Sequence, residues 1–250
     1  MIGLIGHTGF VGGHLNKQLK IDKHFNSKNI NDLNKYEYEI LFCAGMSGVK
    51  WKANKFPEQD DKNLEEIIKN ISTVYTKKFI LLSTVDVFTN PNFVDEDSKI
   101  LLDNDNHYGM NRYRLEKFVA QNFKSHLICR LTGLVGLNLK KNFLYDVKHN
   151  NELNKFNPNS SFQFYPIARL WKDIQTSLHA DIKTIHLNAE PVSVLEIAKY
   201  LNIDLSQFSK ANKKYSYNMT TKYSNKFKKS GNYLYSKSYI LNQIQYYIDS

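Results

Sequence analysis

A glycine-rich segment near the N-terminus, GHTGFVG at 6–12, constrains the fold of this chain more than any other feature. It follows an apolar run that ends at Ile5 and precedes an amphipathic segment, so it predicts a strand, a loop and a helix in succession. Gly6 permits the positive φ of a tight turn, Gly9 lets the backbone approach a pyrophosphate, and Gly12 lets the helix pack on the strand. Because N–H groups at a helix start bind anions, the segment predicts a dinucleotide site. A turn that needs glycine for packing only is the alternative.

Length and composition bound the other possibilities. The chain has 250 residues and a formal net charge of +10, which suits one α/β domain or a nucleotide-binding core with a small appended lobe. Its two cysteines, Cys43 and Cys129, lie in apolar runs, and no zinc-type spacing occurs, so we expect neither a disulfide nor a metal. No apolar run approaches the ~20 residues that cross a bilayer, and no signal-peptide pattern is present. We therefore expect a cytoplasmic protein.

Strand-like and helix-like segments alternate through the first half of the chain. Continuous apolar runs at 38–45 and 79–82 are typical of buried parallel strands, and the apolar spacing at 61–75 and 108–123 predicts two helices. The alternation predicts an α/β fold with a Rossmann-like doubly wound parallel sheet and a ligand at the carboxyl ends of the strands. We expect a long loop at 46–59, in which the tryptophan lines a substrate pocket or covers the sheet edge.

The segment HFNSKN at 24–29 lies where a second strand would end beside the adenosine ribose. An acid at this place would accept hydrogen bonds from the ribose hydroxyls and repel a 2′-phosphate, but the segment contains none. Ser27 and Lys28 instead carry donors that suit a phosphate. The segment therefore favours NADP(H) over NAD(H), and a solvated turn with an incidental lysine is the alternative.

The segments GHTGFVG at 6–12, STVDVF at 83–88 and YGMNR at 108–112 are three motifs. Together they resemble those of the extended short-chain dehydrogenase/reductase family, nearest its nucleotide-sugar 4-keto-reductase branch. The loop at 6–12 resembles the family's Gly-x-x-Gly-Phe-Ile/Val-Gly, and STVDVF at 83–88 resembles Ser-Thr-x-x-Val-Phe. The segment YGMNR at 108–112 resembles Tyr-Gly-x-x-Lys, with arginine in place of lysine. The resemblance implies an NAD(P)-dependent oxidoreductase or epimerase for a nucleotide-linked sugar, in surface polysaccharide biosynthesis. It also implies a nucleotide-binding domain at 1–165 and a small C-terminal substrate-binding lobe at 166–250.

The resemblance also implies roles for individual residues. Thr84 would orient the substrate oxygen, Tyr108 would exchange a proton with it, and Arg112 would supply the positive charge of the family's lysine. The substrate-binding residues would be Thr84, Asp86, Asn142 and Arg169. The cofactor-binding residues would be Gly6, His7, Thr8, Gly9, Phe10, Val11, Gly12, Asn26, Ser27, Lys28, Cys43, Ala44, Gly45, Ser83, Tyr108 and Arg112.

The arginine at 112 is the main departure from the family pattern. A unit charge at ~4 Å and an effective dielectric of ~20 favours a phenolate by about 4 kcal/mol, so we expect the pKa of Tyr108 to lie near neutrality. Arginine cannot release a proton as a lysine can. A non-catalytic NADP(H)-binding sensor or scaffold protein is the alternative, and Arg112 is its best support.

The last part of the chain is basic. Eight lysines and no acidic residue lie between Leu205 and Ile248, interleaved with tyrosines. A solvated surface, a basic lid over a diphosphate and a nucleic-acid surface all fit this composition, but no recognised nucleic-acid motif is present. We expect a nucleotide-diphosphate sugar as substrate, because lysines attract anions, and no nucleic-acid partner. The family resemblance also implies that the protein forms a homodimer through the helices at 61–75 and 108–123.

Overall fold

The computed structural model describes residues 1–101, 103, 105–208 and 214–250. Residues 209–213, which include two lysines of the basic C-terminal stretch, lie outside this description. The strands are β1 (Ile2–Ile5), β2 (Lys23–Phe25), β3 (Tyr38–Cys43), β4 (Thr76–Thr84), β5 (Asn92–Val94), β6 (His126–Leu131), β7 (Gly133–Val135), β8 (Ser161–Phe162), β9 (Phe164–Pro166), β10 (Thr184–Leu187), β11 (Val192–Ser193) and β12 (Asn218–Met219). The helices are α1 (Phe10–Gln18), α2 (Lys50–Lys55), α3 (Pro57–Ile71), α4 (His107–Asn122), α5 (Phe143–Lys148), α6 (Leu170–His179), α7 (Val194–Tyr200) and α8 (Lys237–Asp249).

Six strands form a parallel central sheet in the order β10-β6-β4-β3-β1-β2. β1 pairs in parallel with β2 on one side and with β3 on the other, so the strand order changes direction between β1 and β3. Open α/β sheets bind ligands at such a switch point, beyond the carboxyl ends of the strands. The predicted Rossmann-like α/β sheet is confirmed, and the glycine loop that follows β1 lies at its ligand-binding edge.

Apolar side chains of the strands pack against apolar side chains of the covering helices and form a buried core. Leu41 of β3 and Phe79 of β4 are completely buried, as continuous apolar runs predict for parallel strands. On α3, Leu64, Ile67 and Ile71 share one helical face and belong to the same core. Truncating Leu64 to alanine would cost roughly 2–5 kcal/mol, because it would leave a cavity among fully buried neighbours.

The segment around α3 differs from the sequence prediction. The expected loop at 46–59 is wrong, because it contains α2 and the first turn of α3. α3 begins at Pro57, and a proline suits the first helical position because its missing N–H needs no partner there. The helix ends at Ile71, before a Ser-Thr-Val sequence of weak helix formers, so Tyr75 is 60% exposed rather than part of the buried stripe.

The chain forms two compact units. The first contains Met1–Thr89, Lys99–Arg130 and Leu170–Ile185, and the second contains Asn90–Ser98, Leu131–Arg169 and His186–Ser250. The first unit holds β1 to β4 with α1 to α4, whereas the second holds the paired strands β5/β12, β7/β9 and β8/β11. Within the described ranges, no helix has the length and apolar character that a membrane crossing requires. The assignment of 166–250 to substrate binding stays a prediction.

Candidate active site

The glycine loop has the geometry that its sequence predicts. Gly6 has φ 85°, and a Cβ on it would lie 2.3 Å from the carbonyl oxygen of Ala44. A Cβ on Gly12 would lie 2.2 Å from the carbonyl oxygen of Gly6, so both positions require glycine. The N–H of Gly9 donates to Gly6 and closes the turn. Among the described residues no side chain caps α1, which leaves N–H groups at its start for an anion.

A cavity of about 280 Å³ lies beside this loop. Its size suits the nucleoside part of a dinucleotide better than the whole molecule. Five residues predicted to bind cofactor line it, namely Gly6, Thr8, Asn26, Ser27 and Gly45. The remaining lining residues are Ile5, Ile30, Ser47, Asn63, Glu66 and Ile67.

The turn after β2 is held by its own side chains. The Asn26 side-chain oxygen accepts the N–H of Lys28 at 2.9 Å, and the Asn29 side-chain oxygen accepts the N–H of Asn26 at 2.8 Å. This turn fixes the backbone next to the cavity and leaves the Lys28 side chain exposed. A charged amine on this turn suits a phosphate ligand.

Further residues predicted to bind cofactor lie in the loop itself, in α1 and at the end of β3. His7 Nδ1 lies 3.1 Å from the carbonyl oxygen of Phe25, and Phe10 packs edge-on against the ring of His14. Val11 is half-buried in α1. Cys43 is completely buried at the end of β3, where desolvation raises the pKa of its thiol to about 11. The sulfur of Cys43 therefore belongs to the core. The carbonyl group of the next residue, Ala44, packs closely against Gly6.

Thr84 and Tyr108 meet at the carboxyl end of β4. Thr84 is the last residue of that strand, and its Oγ1 accepts the N–H of Asp86 at 3.1 Å. Hydrogen bonding by the Thr84 side chain also lowers the pKa of the Tyr108 phenol, which places the two hydroxyl groups side by side. Tyr108, the second residue of α4, is only 8% exposed. The structure thus brings together the two hydroxyl groups that the family resemblance predicts to be catalytic.

The start of α4 is fixed against the turn that follows Thr84. Asn106 caps α4 by accepting the N–H of Gly109 at 3.2 Å, and its Nδ2 donates to the carbonyl oxygen of Asp86 at 2.8 Å. A Cβ on Gly109 would lie 1.9 Å from that same oxygen. Because residue 109 is glycine, the start of α4 can lie close to the turn that follows Thr84. This places the Tyr108 ring beside Thr84.

Arg112 lies one helical turn after Tyr108 and is buried. Its Nη1 donates to Asp60 Oδ2 at 2.5 Å and to the Tyr108 carbonyl oxygen at 3.1 Å. Its Nη2 donates to the carbonyl oxygen of Ser47 at 2.5 Å. Among the described residues, its buried Nε has no hydrogen-bond partner. The guanidinium is therefore held by fixed acceptors on three sides.

The expectation that the pKa of Tyr108 lies near neutrality is wrong. Desolvation by burial raises that pKa to about 12, and this effect outweighs the opposing charge of Arg112. The carboxylates of Asp86 and Asp60 raise it further. Because Asp60 forms an ion pair with Arg112, the positive charge beside the phenol is largely balanced.

Sequence reasoning missed Asp60, which is 4% exposed. The signal was present, since Asp60 precedes Leu64 by four residues and Ile67 by seven, and so lies on the buried face of α3. An acid on such a face needs a basic partner, and Arg112 is that partner. Lys50 was also missed, and its Nζ lies 2.6 Å from Asp86 Oδ1.

Ser83 lies in a different hydrogen-bond network from Thr84. Its hydroxyl donates to Glu116 Oε1 at 2.5 Å, and Glu116 forms a buried ion pair with Arg130 at 2.8 Å. The Ser83 hydroxyl thus joins β4 to α4 inside the fold. The predicted cofactor contact of Ser83 stays a prediction.

The other two predicted substrate residues lie in the second unit. Asn142 has φ 124°, and its side-chain oxygen accepts the N–H groups of Leu144 and Tyr145 at the start of α5. Its Nδ2 donates to the carbonyl oxygen of Leu134 at 2.8 Å. Arg169 Nε donates to the hydroxyl of Tyr235 at 3.3 Å. Both side chains therefore have structural partners within that unit.

The residues of the first unit fit a nicotinamide dinucleotide. The uncapped start of α1 suits a pyrophosphate, the adjacent cavity suits a nucleoside, and the unpartnered Nε of Arg112 provides a buried donor near Tyr108. Among the described residues, no group of three His, Cys, Asp or Glu side chains is arranged to hold a metal ion.

No protein-family model matches the chain, and no curated protein matches it in sequence. Solved structures match it over its whole length. The NADP complex of dTDP-4-dehydrorhamnose reductase from Bacillus anthracis is 17% identical, with a TM-score of 0.75 over 100% of this chain and 98% of the other. The Yersinia enterocolitica enzyme of the same name is 15% identical, with a TM-score of 0.73 over 99% and 98%.

A variant of UDP-glucuronic acid 4-epimerase from Bacillus cereus, in complex with a UDP-sugar and NAD, is 15% identical. Its TM-score is 0.74 over 99% of this chain and 98% of the other. These structural neighbours are all extended short-chain dehydrogenase/reductases that act on nucleotide sugars. At such low identity the likeness concerns the fold alone. The chain has the fold of the extended short-chain dehydrogenase/reductases, as its three motifs predict.

Proposed function

We propose that the chain is an NAD(P)-dependent enzyme of the extended short-chain dehydrogenase/reductase family that acts on a nucleotide-linked sugar. The hydrogen-bonded pair of Thr84 and Tyr108 carries this proposal, because it lies at the carboxyl end of a strand in the same unit as the glycine loop. An uncapped helix start and a cavity of nucleoside size support it. So do solved nucleotide-sugar enzymes of the same fold.

In the reaction, a bound nicotinamide dinucleotide would supply or accept the hydride. Thr84 orients the substrate oxygen, and Tyr108 gives a proton to it in the reductive direction. Arg112 supports the Tyr108 ring by packing its guanidinium on the ring face. Burial keeps the Tyr108 phenol protonated at neutral pH, which suits a proton donor.

The proposed cofactor is NADP(H) in preference to NAD(H). Ser27 lines the cavity, and Lys28 is exposed on the same rigid turn. Both carry donors for a 2′-phosphate, and the turn at 24–29 contains no acid that would repel one. Glu66 is the one acid among the lining residues, and it lies on α3 rather than on this turn.

The proposed substrate is a nucleotide-diphosphate sugar. Its anionic diphosphate suits the excess of lysine between Leu205 and Ile248, and Asp86, Asn142 and Arg169 are its proposed polar contacts. We further propose a cytoplasmic location, because the buried Cys43 and Cys129 are both unpaired, and a role in surface polysaccharide biosynthesis.

The test is turnover of a panel of nucleotide sugars and their 4-keto derivatives by the purified protein with NADPH and with NADH. We expect oxidation of the nicotinamide with at least one 4-keto sugar, faster with NADPH. Equilibrium titration of both cofactors accompanies the assay. Tight cofactor binding without turnover across the panel would instead support a non-catalytic sensor or scaffold protein.

A further inference from the structure

A chain of polar groups leads from Tyr108 toward the surface. Tyr108 and Thr84 are hydrogen-bonded through their side chains, and Thr84 Oγ1 lies 3.4 Å from Asp86 Oδ2. Lys50 Nζ donates to the other carboxylate oxygen, Asp86 Oδ1, at 2.6 Å. The side chain of Asp86 is 18% exposed and that of Lys50 is 43% exposed. The chain therefore begins at a buried phenol and ends in water.

Arg112 cannot serve as the proton path to the same phenol. Its two terminal nitrogens are held by Asp60, by the Tyr108 carbonyl oxygen and by the Ser47 carbonyl oxygen, and its side chain is only 4% exposed. A guanidinium also does not release a proton in the pH range of proteins. A lysine ammonium does exchange its protons with water. Hydrogen bonds connect the Lys50 ammonium through Asp86 to Thr84, which lies beside Tyr108.

We propose that Lys50 and Asp86 carry protons between water and the Thr84–Tyr108 pair. The inference deepens the proposed function, on which it rests, by assigning the residues that restore the proton of Tyr108 after each turnover. Thr84 and Tyr108 touch the reacting oxygen of the substrate in that function, whereas Lys50 and Asp86 reach that oxygen only through them.

Each proton transfer in the reductive direction uses one hydrogen bond. A bound reduced nicotinamide would supply the hydride to the carbonyl carbon of the substrate, and Tyr108 gives its hydroxyl proton to the carbonyl oxygen. The Tyr108 phenolate takes the proton of Thr84, and Thr84 takes one from the Asp86 carboxyl. Asp86 receives that proton on Oδ1 from the Lys50 ammonium and presents it to Thr84 by rotation about its Cβ–Cγ bond. Lys50 recovers a proton from water, so every group returns to its starting state.

The experiment measures how fast the Tyr108 hydroxyl proton exchanges with solvent, in protein without cofactor or substrate. Tyrosine labelled with ¹³C at Cζ gives separate signals for the protonated and deuterated hydroxyl in a mixture of H₂O and D₂O, and Tyr108→Phe assigns the signal. The variants are Lys50→Met, which removes the cation, and Lys50→Arg, which keeps the charge but holds its proton. Lys52→Met and Lys52→Arg are matched controls, because Lys52 is exposed on the same short helix.

We expect both Lys50 variants to slow the exchange by at least about tenfold and both Lys52 variants to leave it unchanged. Thermal unfolding of each variant verifies that the fold is kept. Wild-type exchange in either Lys50 variant would overturn the proposal, as would equal slowing in the Lys52 variants. The absence of turnover across the nucleotide-sugar panel would remove the proposed function instead, because the exchange measurement needs no substrate.

Discussion

The guanidinium carbon of Arg112 lies 3.9 Å from the centre of the Tyr108 ring. A cation at this distance from an aromatic face is attracted to the ring, and the attraction strengthens when both groups are buried. The carboxylate of Asp60 balances the charge of the guanidinium from its other side. Arginine at this position therefore packs on the ring of Tyr108, and its charge favours the phenolate less than desolvation of the buried phenol disfavours it.

The ion pair of Asp60 and Arg112 gives a first prediction. Asp60→Asn leaves a buried guanidinium without a counter-charge, so we expect a loss of about 3–5 kcal/mol in the free energy of unfolding. Urea denaturation followed by circular dichroism measures it. Asp61→Asn is the matched control, since Asp61 pairs with Arg114 on the same two helices but both side chains are nearly half exposed. That variant should lose no more than ~1 kcal/mol, and equal losses would contradict the prediction.

The hydroxyl pair gives a second prediction. Tyr108→Phe removes the proton donor, so we expect turnover of a verified substrate to fall by a factor of at least ~10² while cofactor affinity stays within about twofold. Tyr113→Phe, which changes a half-buried tyrosine of the same helix, should keep the wild-type rate. Steady-state kinetics and cofactor titration check both variants. Wild-type turnover in Tyr108→Phe would remove Tyr108 as the acid of the reaction.

The pKa of Tyr108 gives a third prediction. Burial raises it to about 12, so the phenol keeps its proton throughout the neutral and mildly alkaline range. As a proton donor it is in its active form below that pKa, and kcat/KM in the reductive direction should therefore show no loss of this proton between about pH 6 and pH 9. Initial rates across that range measure it. A tenfold fall per pH unit above about pH 7 would instead indicate a donor that titrates near neutrality.

The turn after β2 gives a fourth prediction. Lys28→Ala should weaken NADPH binding by roughly tenfold or more, since a charge-assisted contact to phosphate contributes about 1.5–3 kcal/mol. The affinity for NADH should stay the same, because NADH has no 2′-phosphate. Fluorescence titrations of both cofactors test this, with Lys20→Ala as a control at an exposed lysine that precedes β2. Identical losses for the two cofactors would show that Lys28 does not face the 2′-phosphate.

The helices α3 and α4 give a fifth prediction. They pack against each other in the first unit, and the family resemblance implies that they meet the same helices of a second copy in a four-helix arrangement. We expect the mass of a dimer by light scattering at micromolar concentration. A monomeric mass under those conditions would count against it.

Local patterns predicted the parts of the fold that depend on neighbouring residues. The glycine loop and the apolar runs of β3 and β4 each have a signal confined to a few positions, and the structure confirms the turn and the two strands. Asp60 was missed because the start of α3 was placed after it, although Pro57 marks the true start. One misplaced boundary thus hid the partner of Arg112.

Pairings between distant segments had no such signal. Glu96 accepts the N–H of His186 and the hydroxyl of Thr221, which follow it by 90 and 125 residues. Strand β5 pairs with β12 in the same unit. These pairings depend on which distant segments the fold brings together. Local propensity and periodicity carry no information about that. The polar chain from Lys50 to Thr84 escaped prediction for the same reason.

The division of the chain into two units has a consequence for how such a protein changes over evolutionary time. The backbone passes from one unit to the other after residues 89, 98, 130, 169 and 185. A single crossover in the gene cannot exchange one whole unit for that of another protein. Whichever breakpoint is chosen, the sequence on at least one side of it contains segments of both units. New substrate preferences in this architecture must therefore arise by substitutions and short insertions in place, and a graft that exchanges one whole unit would need all five junctions at once.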